Sequence, residues 1–590
     1  MSTDEKQRRR ISRREFIKGT AAGAAGAMAA GLMTGCTQSA PAAPEGSSSA
    51  ATSWLPESWD IETDVVVIGT GCAGLSAACA AAENGAEVLL LEKLPTIGGN
   101  SRVSGGNYGK YCTGVDDAEK GVMEEDPDWF VGDSADLYYQ EKLKMGGYRS
   151  VPEVTRAFAD DSPIGYEFLQ RCGFIHSTVA YYSSFTPFLA PDSLKGGYFY
   201  GRYNAAYDED GSYIGPFTKG RHHRGGTYQT YSGGEAAVFA IADEAERLGV
   251  ELKLEMQVTQ IYREQPLSGE VVGIKATDLA DNTEVTIRAK KGVIVATGGS
   301  HANLDWVKKN DPRHTVTRVN SGSASQGATT DGGKPGRAAT DASGRGATGE
   351  VRVAAQDIGA DTQLEGEIQL RWDQSTIAYT GPESIILTNS RGKYIDVDGN
   401  GNRFWDEYAK AQTYQARLTH VYENNISTKM GEHTWWGITD GGVVTEAAAM
   451  TALEVGHAVK ADTLEELAAL MDVPADNLVA TVNRYNELVD MGEDLDFGQL
   501  QAYLTNKIET PPFYAFNKCY YRQADQGGLR INATFQVIDR RGEVIPRLYA
   551  AGEVEGCTHG FERDGGCGWT QGIVGGLRAG KHAAGLTSLG

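Results

Sequence analysis

Between Asp64 and Gly99 the chain reads DVVVIGTGCAGLSAACAAAENGAEVLLLEKLPTIGG. Val65–Ile68 is an unbroken apolar run of strand length, the pattern of a strand buried on both faces. Gly69, Gly71 and Gly74 follow at G-x-G-x-x-G spacing. The first glycine permits a tight turn, the second lets a pyrophosphate approach the backbone, and the third lets helix pack on strand. Leu75–Asn84, nearly all Ala, Leu, Ser and Cys, reads as a buried helix whose N-terminus faces a phosphate. Val88–Leu91 is a second buried strand, and Glu92 closes it 18 residues after Gly74. A carboxylate there is placed to accept hydrogen bonds from ribose hydroxyls. The full βαβ context turns a common glycine pattern into a specific signal for a bound dinucleotide.

The same reading extends along the chain. A glycine start, a helix over Ala236–Leu248 and a strand over Glu251–Val258 make a further unit. A helix is expected near Thr463–Met471. Pro474 breaks it, and a second follows over Asp476–Val489. The run Gln571–Ala584 is helical, with a glycine-rich start at Gly565–Gly568. Segment 172–230 is rich in Tyr, Gly and Arg and matches no regular pattern, so it reads as an insertion near a substrate entrance.

At 590 residues the chain is too long for one core. The expected division is a signal segment over 1–35, a Ser/Ala/Pro-rich tether over 36–56, a cofactor domain over 57–340, a capping domain over 341–505, and a return to the cofactor domain over 506–590. Ser12–Lys18 (SRREFIK) is a twin-arginine export motif, followed by the weakly apolar stretch Thr20–Met33. Met33-Thr34-Gly35-Cys36 resembles a lipobox, with Cys36 as the acylated residue. The expected location is therefore the outer face of the cytoplasmic membrane or the periplasm, with membrane contact through that anchor alone. The net charge is −23; residues 1–35 hold seven basic and three acidic side chains, leaving about −27 on the remainder. Such a surface repels nucleic acid. The eight cysteines form no C-x-x-C pair, no C-x-x-C-H haem site and no four-cysteine cluster spacing. Electrons must therefore come from an external donor, such as a membrane quinol or a flavin- or haem-linked carrier. No metal site is indicated.

The residues after Glu92, Lys93–Gly106 (KLPTIGGNSRVSGG), resemble the E-K-x-x-x-x-G-G-N segment of a flavoprotein family. That family contains the flavoprotein subunits of fumarate reductase and succinate dehydrogenase, soluble fumarate and urocanate reductases, and 3-ketosteroid Δ1-dehydrogenases. Gly292–Gly299 (GVIVATGG) and Leu548–Glu553 (LYAAGE) resemble its other cofactor strands. Thr330-Asp331-Gly332 resembles its T-G-D-G turn with one glycine missing. His559–Gly566 (HGFERDGG) resembles H-G-x-N-R-x-G-G, with Glu562 in place of Asn. The resemblance implies an α/β fold: a Rossmann-like FAD-binding domain of the glutathione-reductase type with an inserted α+β capping domain. It implies FAD contacts at Gly69, Gly71, Cys72, Ala73, Gly74, Glu92, Lys93, Gly99, Asn100, Ser101, Gly105, Gly106, Val258, Ala296, Thr297, Gly298, Asp331, Glu553, Gly566 and Gly568. Asn100-Ser101-Arg102 holds no histidine where covalent members carry one, so non-covalent FAD is expected.

The implied reaction passes a hydride between flavin N5 and a carbon beside an activating group, with a proton moving at the neighbouring carbon. Arg563 aligns with the family's arginine and is the expected substrate anchor, since a guanidinium can bind a carboxylate or carbonyl by paired hydrogen bonds. His559, Gly527 and Gly528 are further candidates for the substrate side. Two departures stand out. The family's H-T-M-G-G is Ala524-Asp525-Gln526-Gly527-Gly528, which loses a carboxylate-binding histidine. R-F-x-N-E-x-x-x-R ends on Ala411, which loses the proton-donating arginine. Fumarate is therefore not the expected substrate; a bulkier, less anionic enone or enoate is. Candidates to move the proton are Tyr408, Lys410, Tyr414, Tyr520 and Tyr521. The alternatives are a ketosteroid-type desaturase running the reverse reaction and an electron-transfer flavoprotein subunit.

Overall fold

The structure is a computed structural model that describes residues 54–111, 113, 134–176, 179–180, 222–223, 225–313, 346–375, 393–407, 414–454, 456–499, 501–560, 563 and 565–589. The export motif, Cys36 and most of the expected tether lie outside these residues, as do Tyr408, Lys410 and Asp331.

The first sheet has eight strands. Ile61–Ile68 lies at its centre, parallel to Val88–Leu91 on one side and to Thr283–Val295 on the other, with Val65 opposite Val88 and Gly292. Val544–Ala550 pairs parallel with the end of Thr283–Val295. The carboxyl ends of these strands therefore meet at one edge, where ligands bind in open α/β sheets. Val65–Ile68 and Val88–Leu91 are buried throughout. Helix Cys72–Glu83 covers one face, and helix Cys567–Ala584 packs along it. The two helices touch backbone to backbone: a Cβ on Gly576 would lie 2.3 Å from the Ala73 carbonyl oxygen, and one on Gly580 would lie 2.2 Å from that of Ala77.

The stretch read as one strand over Glu251–Val258 is two. Glu251–Lys253 pairs parallel with Val88–Leu91, whereas Met256–Gln265 pairs antiparallel with Ser268–Asp278. Glu255, at φ +58°, turns the chain between them. Hydrophobic spacing carries no signal for such a turn.

The second sheet is antiparallel, in the order Ile368–Ser375, Phe513–Asp525, Thr434–Asp440, Ile395–Val397, with Ala458–Ala461 also on Phe513–Asp525. Phe513–Asp525, inside the stretch read as the return to the cofactor domain, is the strand on which this sheet is built. Helix Glu350–Asp357, from the stretch read as the cap, buries Val351, Ala354 and Ala355 in the core of the first sheet.

Helices Leu464–Met471 and Ala475–Met491 cover the second sheet through Leu467, Met471, Val482 and Tyr485. Thr463 caps the first by accepting from Glu466 N at 3.1 Å, as the T-x-x-E pattern predicts. Of segment 172–230, the described pieces join two small three-stranded sheets with Tyr108–Gly109 and Tyr231–Ser232. Among the described residues no helix is long and apolar enough to cross a membrane.

Candidate active site

At the carboxyl edge of the first sheet lies a groove, part open to solvent, with about 1040 Å³ of atom-free space. It is lined by Gly69, Gly71, Cys72, Ala73, Glu92, Lys93, Gly99, Asn100, Ser101, Val258, Ala296, Thr297, Gly298, Glu553 and Gly568, all expected as FAD contacts from the sequence. Gly74 is not in the lining. A Cβ there would lie 1.8 Å from the Gly69 carbonyl oxygen, so this glycine closes helix onto strand. Gly105, Gly106 and Gly566 also stand back from the groove. Gly106, at φ +65°, packs on the backbone of Gly233, and Gly566 packs on Tyr108.

The groove fits FAD on its own geometry. At Gly71 the nearest atom to an added Cβ is Ser101 Oγ at 3.5 Å, which leaves the backbone open to a phosphate. The N-terminus of helix Cys72–Glu83 points there, and Cys72 N donates to Ser101 Oγ at 3.0 Å. Glu92 is buried at the strand end. Its Oε2 accepts from Thr70 N at 3.0 Å and Thr70 Oγ1 at 2.5 Å, and its Oε1 accepts from Leu94 N at 3.0 Å. Burial raises the Glu92 pKa, and these donors oppose the rise. Oε2 thus has both its lone-pair sites filled, and Oε1 keeps one for a ribose hydroxyl. Burial likewise pushes the Cys72 thiol up to about 11, so it stays protonated at neutral pH.

Several lining residues escaped the sequence reading. Thr70 holds Glu92 and also accepts from Gly98 N at 3.0 Å. Thr348 and Glu350 take hydrogen bonds from Lys93 Nζ at 2.7 and 2.9 Å. Thr348-Gly349-Glu350, with Gly349 at φ +82°, offers the T-G-acid order sought at Thr330-Asp331-Gly332. The signal was present, with Glu in place of Asp.

On the substrate side, the Arg563 guanidinium packs over Gly568: a Cβ there would meet Nη1 at 2.9 Å and Cζ at 3.1 Å. Its carbonyl accepts from Gln369 Nε2 at 3.0 Å. Arg563 thus sits at the start of helix Cys567–Ala584, where that helix enters the groove lining. His559 is buried against Phe158, with ring centroids 5.2 Å apart. Burial, together with Arg563 and Lys142, holds its pKa well below 6.5, so the imidazole is neutral.

Gly527 and Gly528 press on the backbones of Leu364 and Val554 and do not line the groove. Tyr520 is buried in an aromatic cluster, 5.3 Å from the Trp435 ring and 6.4 Å from that of Trp405. Tyr521 lies on the same strand, and Tyr414 opens helix Tyr414–Glu423; their side chains lie outside the described residues.

Beside the groove is a buried charge cluster that sequence reasoning missed. His301 Nδ1 lies 3.1 Å from Glu553 Oε1 and 3.5 Å from Asp525 Oδ1. Asp525 Oδ2 accepts from Ser300 N at 2.7 Å, Ser300 Oγ at 2.6 Å and Arg352 at 3.0 Å. Arg352 also donates to the Gly527 carbonyl at 2.8 Å and lies over the Trp306 ring.

A parallel sheet whose βαβ edge carries a groove lined by the glycine turn, a helix N-terminus and Glu92 defines a dinucleotide-binding fold. The family profile of the FAD binding domain matches residues 64–569, and the chain belongs to that family. It carries the FAD-binding fold of flavin-dependent oxidoreductases. The chain is 29% identical over 546 residues to an NADH:fumarate oxidoreductase of Klebsiella pneumoniae, covering 92% of this chain but only 49% of that protein. It is 28% identical to the vinyl phenol reductase of Lactiplantibacillus plantarum, over 89% of this chain and 97% of that one. A urocanate reductase of Eggerthella lenta is 26% identical, over 90% and 76%. In fold, the open form of a flavocytochrome c3 fumarate reductase superposes with TM-score 0.66 at 22% identity, covering 89% of this chain and 78% of that one. The 3-ketosteroid-Δ4-(5α)-dehydrogenase of Rhodococcus jostii gives 0.62 at 24% identity, covering 90% and 98%.

Proposed function

We propose that this protein is an exported reductase that saturates a carbon–carbon double bond conjugated to a carbonyl or carboxylate. The observation that carries the reading is the Arg563 guanidinium packed over Gly568, where the C-terminal helix meets the groove. Bound FAD supplies the hydride from N5. Arg563 holds the substrate's activating oxygen by paired hydrogen bonds and draws electron density toward it, so the distal alkene carbon accepts hydride. The start of helix Cys567–Ala584 adds the positive end of its dipole to the same region. His559, being neutral, adds no second positive charge. Ala524 stands where the resembling enzymes carry a histidine, which supports a substrate with one anionic or carbonyl end. The proton for the neighbouring carbon comes from a side chain near the lost arginine or on Phe513–Asp525. Tyr408, Lys410, Tyr414, Tyr520 and Tyr521 are the candidates, and of these Tyr520 is buried.

The twin-arginine motif and the lipobox at Cys36 support export and anchoring. The absence of haem and iron–sulfur spacings from the sequence supports an external electron donor. The test is anaerobic re-oxidation of the dithionite-reduced protein by a panel of enoates, cinnamate-like acids and steroid enones, followed at the flavin absorbance. Rapid re-oxidation by one class, lost by orders of magnitude in Arg563→Ala with FAD retained, is the expected result. Bleaching of the oxidised flavin by saturated ketones, with no alkene accepted, establishes the desaturase direction instead. Normal turnover of FAD-replete Arg563→Ala removes the anchor assignment.

A further inference from the structure

The cluster around His301 is built from four elements distant in sequence. Ser300 and His301 follow strand Thr283–Val295, Arg352 comes from helix Glu350–Asp357, Asp525 ends Phe513–Asp525, and Glu553 sits on the turn Gly552–Val554. His301 is fully buried. Glu553 faces two ways: it lines the cofactor groove, and its Oε1 accepts from Asp525 N at 2.8 Å. Asp525 opens the loop that leads to Gly527 and Gly528.

We propose that His301, as an imidazolium between Glu553 and Asp525, is a positioning residue that locks the cofactor-facing carboxylate to the loop beside the substrate. A buried carboxylate, Asp525, and a half-buried one, Glu553, converge on its Nδ1, and without a cation between them they would repel in a medium that screens poorly. Arg352 neutralises the far oxygen of Asp525 and pins Gly527, and so does not replace His301 at Glu553. Burial opposes a charged imidazole, but Glu553 and Asp525 outweigh it and push the His301 pKa up to about 9. Asp525 is held well below its usual range despite burial, through His301 and Arg352. The other charged groups facing the cluster are Arg522, which donates to the His301 carbonyl at 2.8 Å, and Glu365, 4.0 Å from Arg352. Burial lowers Arg522 to about 10 and raises Glu365.

The His301, Asp525 and Glu553 ligand atoms lie within 4.8 Å of one another, a spacing that also suits a metal ion. The proposal assigns that place to the imidazolium, because a second positive group, Arg352, already sits on Asp525.

FAD affinity of the deflavinated full-length protein, measured by quenching of flavin fluorescence, tests this. His301→Gln is expected to bind FAD at least tenfold more weakly, and His301→Gln/Asp525→Asn to regain most of that loss by removing one of the repelling charges. In the unmodified protein His301 loses its proton, and with it the lock between Glu553 and Asp525, as pH rises through about 9. FAD affinity should therefore fall in a window around that pH, while His301→Gln stays flat; any titration of the flavin itself is common to both. Cys72, near 11, and Arg522, near 10, titrate above the window. The pH profile needs no variant, so poor folding of His301→Gln leaves the test intact. Equal affinity and equal pH dependence in the two proteins overturn the proposal. So does tightening of FAD by added Zn²⁺ or Ca²⁺ with loss on chelation, which would make the cluster a metal site.

Discussion

Thr70→Val removes one hydroxyl, nearly preserves volume, and strikes two partners at once. The side chain of Thr70 is fully buried. Its hydroxyl donates to Glu92 Oε2 at 2.5 Å and accepts from Gly98 N at 3.0 Å. A hydrogen bond to a charged group contributes about 1.5–3 kcal/mol, and leaving a buried N–H unsatisfied costs about 1–3 kcal/mol. The summed loss is therefore about 2.5–6 kcal/mol, spread between stability and cofactor binding. Glu92 lines the groove, and Gly98 is the N-cap of the short helix Gly99–Arg102, whose Gly99, Asn100 and Ser101 line it too. Re-ordering these groups becomes part of the work of binding FAD. Thr70→Val should weaken FAD by about 10–100-fold, or about 1.4–2.8 kcal/mol, and lower the denaturant midpoint of the apoprotein. The assay is FAD titration by fluorescence quenching alongside urea unfolding. A double-mutant cycle with Glu92→Gln isolates the shared bond, and the Thr70→Val loss should shrink once the charge is gone. FAD affinity within twofold of the parent, with an unchanged midpoint, would refute the assignment of Thr70 as the support of Glu92.

Gly74→Ala should yield protein with little bound flavin, read from the ratio of flavin to protein absorbance, because its Cβ would lie 1.8 Å from the Gly69 carbonyl oxygen and force the helix off the strand. Lys518 is buried and pairs with Asp396 at 2.7 Å, while Asp396 Oδ2 accepts from Trp405 Nε1 at 3.0 Å. Lys518→Met should cost about 3–5 kcal/mol by stranding that carboxylate; Lys518→Met/Asp396→Asn should recover most of it, measured by denaturant unfolding. Replacing Arg13 and Arg14 by Lys should hold the precursor in the cytoplasm, seen by cell fractionation; unchanged export would remove the twin-arginine reading.

What was readable from the sequence was local. The first βαβ unit, its glycines and Glu92 lie within 40 residues, and their roles follow from spacing alone, because strand, turn and helix have fixed dimensions. The helix near Thr463–Met471 and the break at Pro474 are legible for the same reason. The tertiary structure decided what depends on distant partners. It set Thr348 and Glu350 against Lys93 in the groove lining, and it split Glu251–Gln265 into strands that run to different neighbours. It placed Phe513–Asp525 in the second sheet. It also brought His301 to Asp525 and Glu553, residues more than 200 positions apart. A side chain's type is written in the sequence, but its charge state depends on burial and on the groups that folding sets beside it. Ser-His after a glycine pair says nothing of an imidazolium until the two carboxylates arrive.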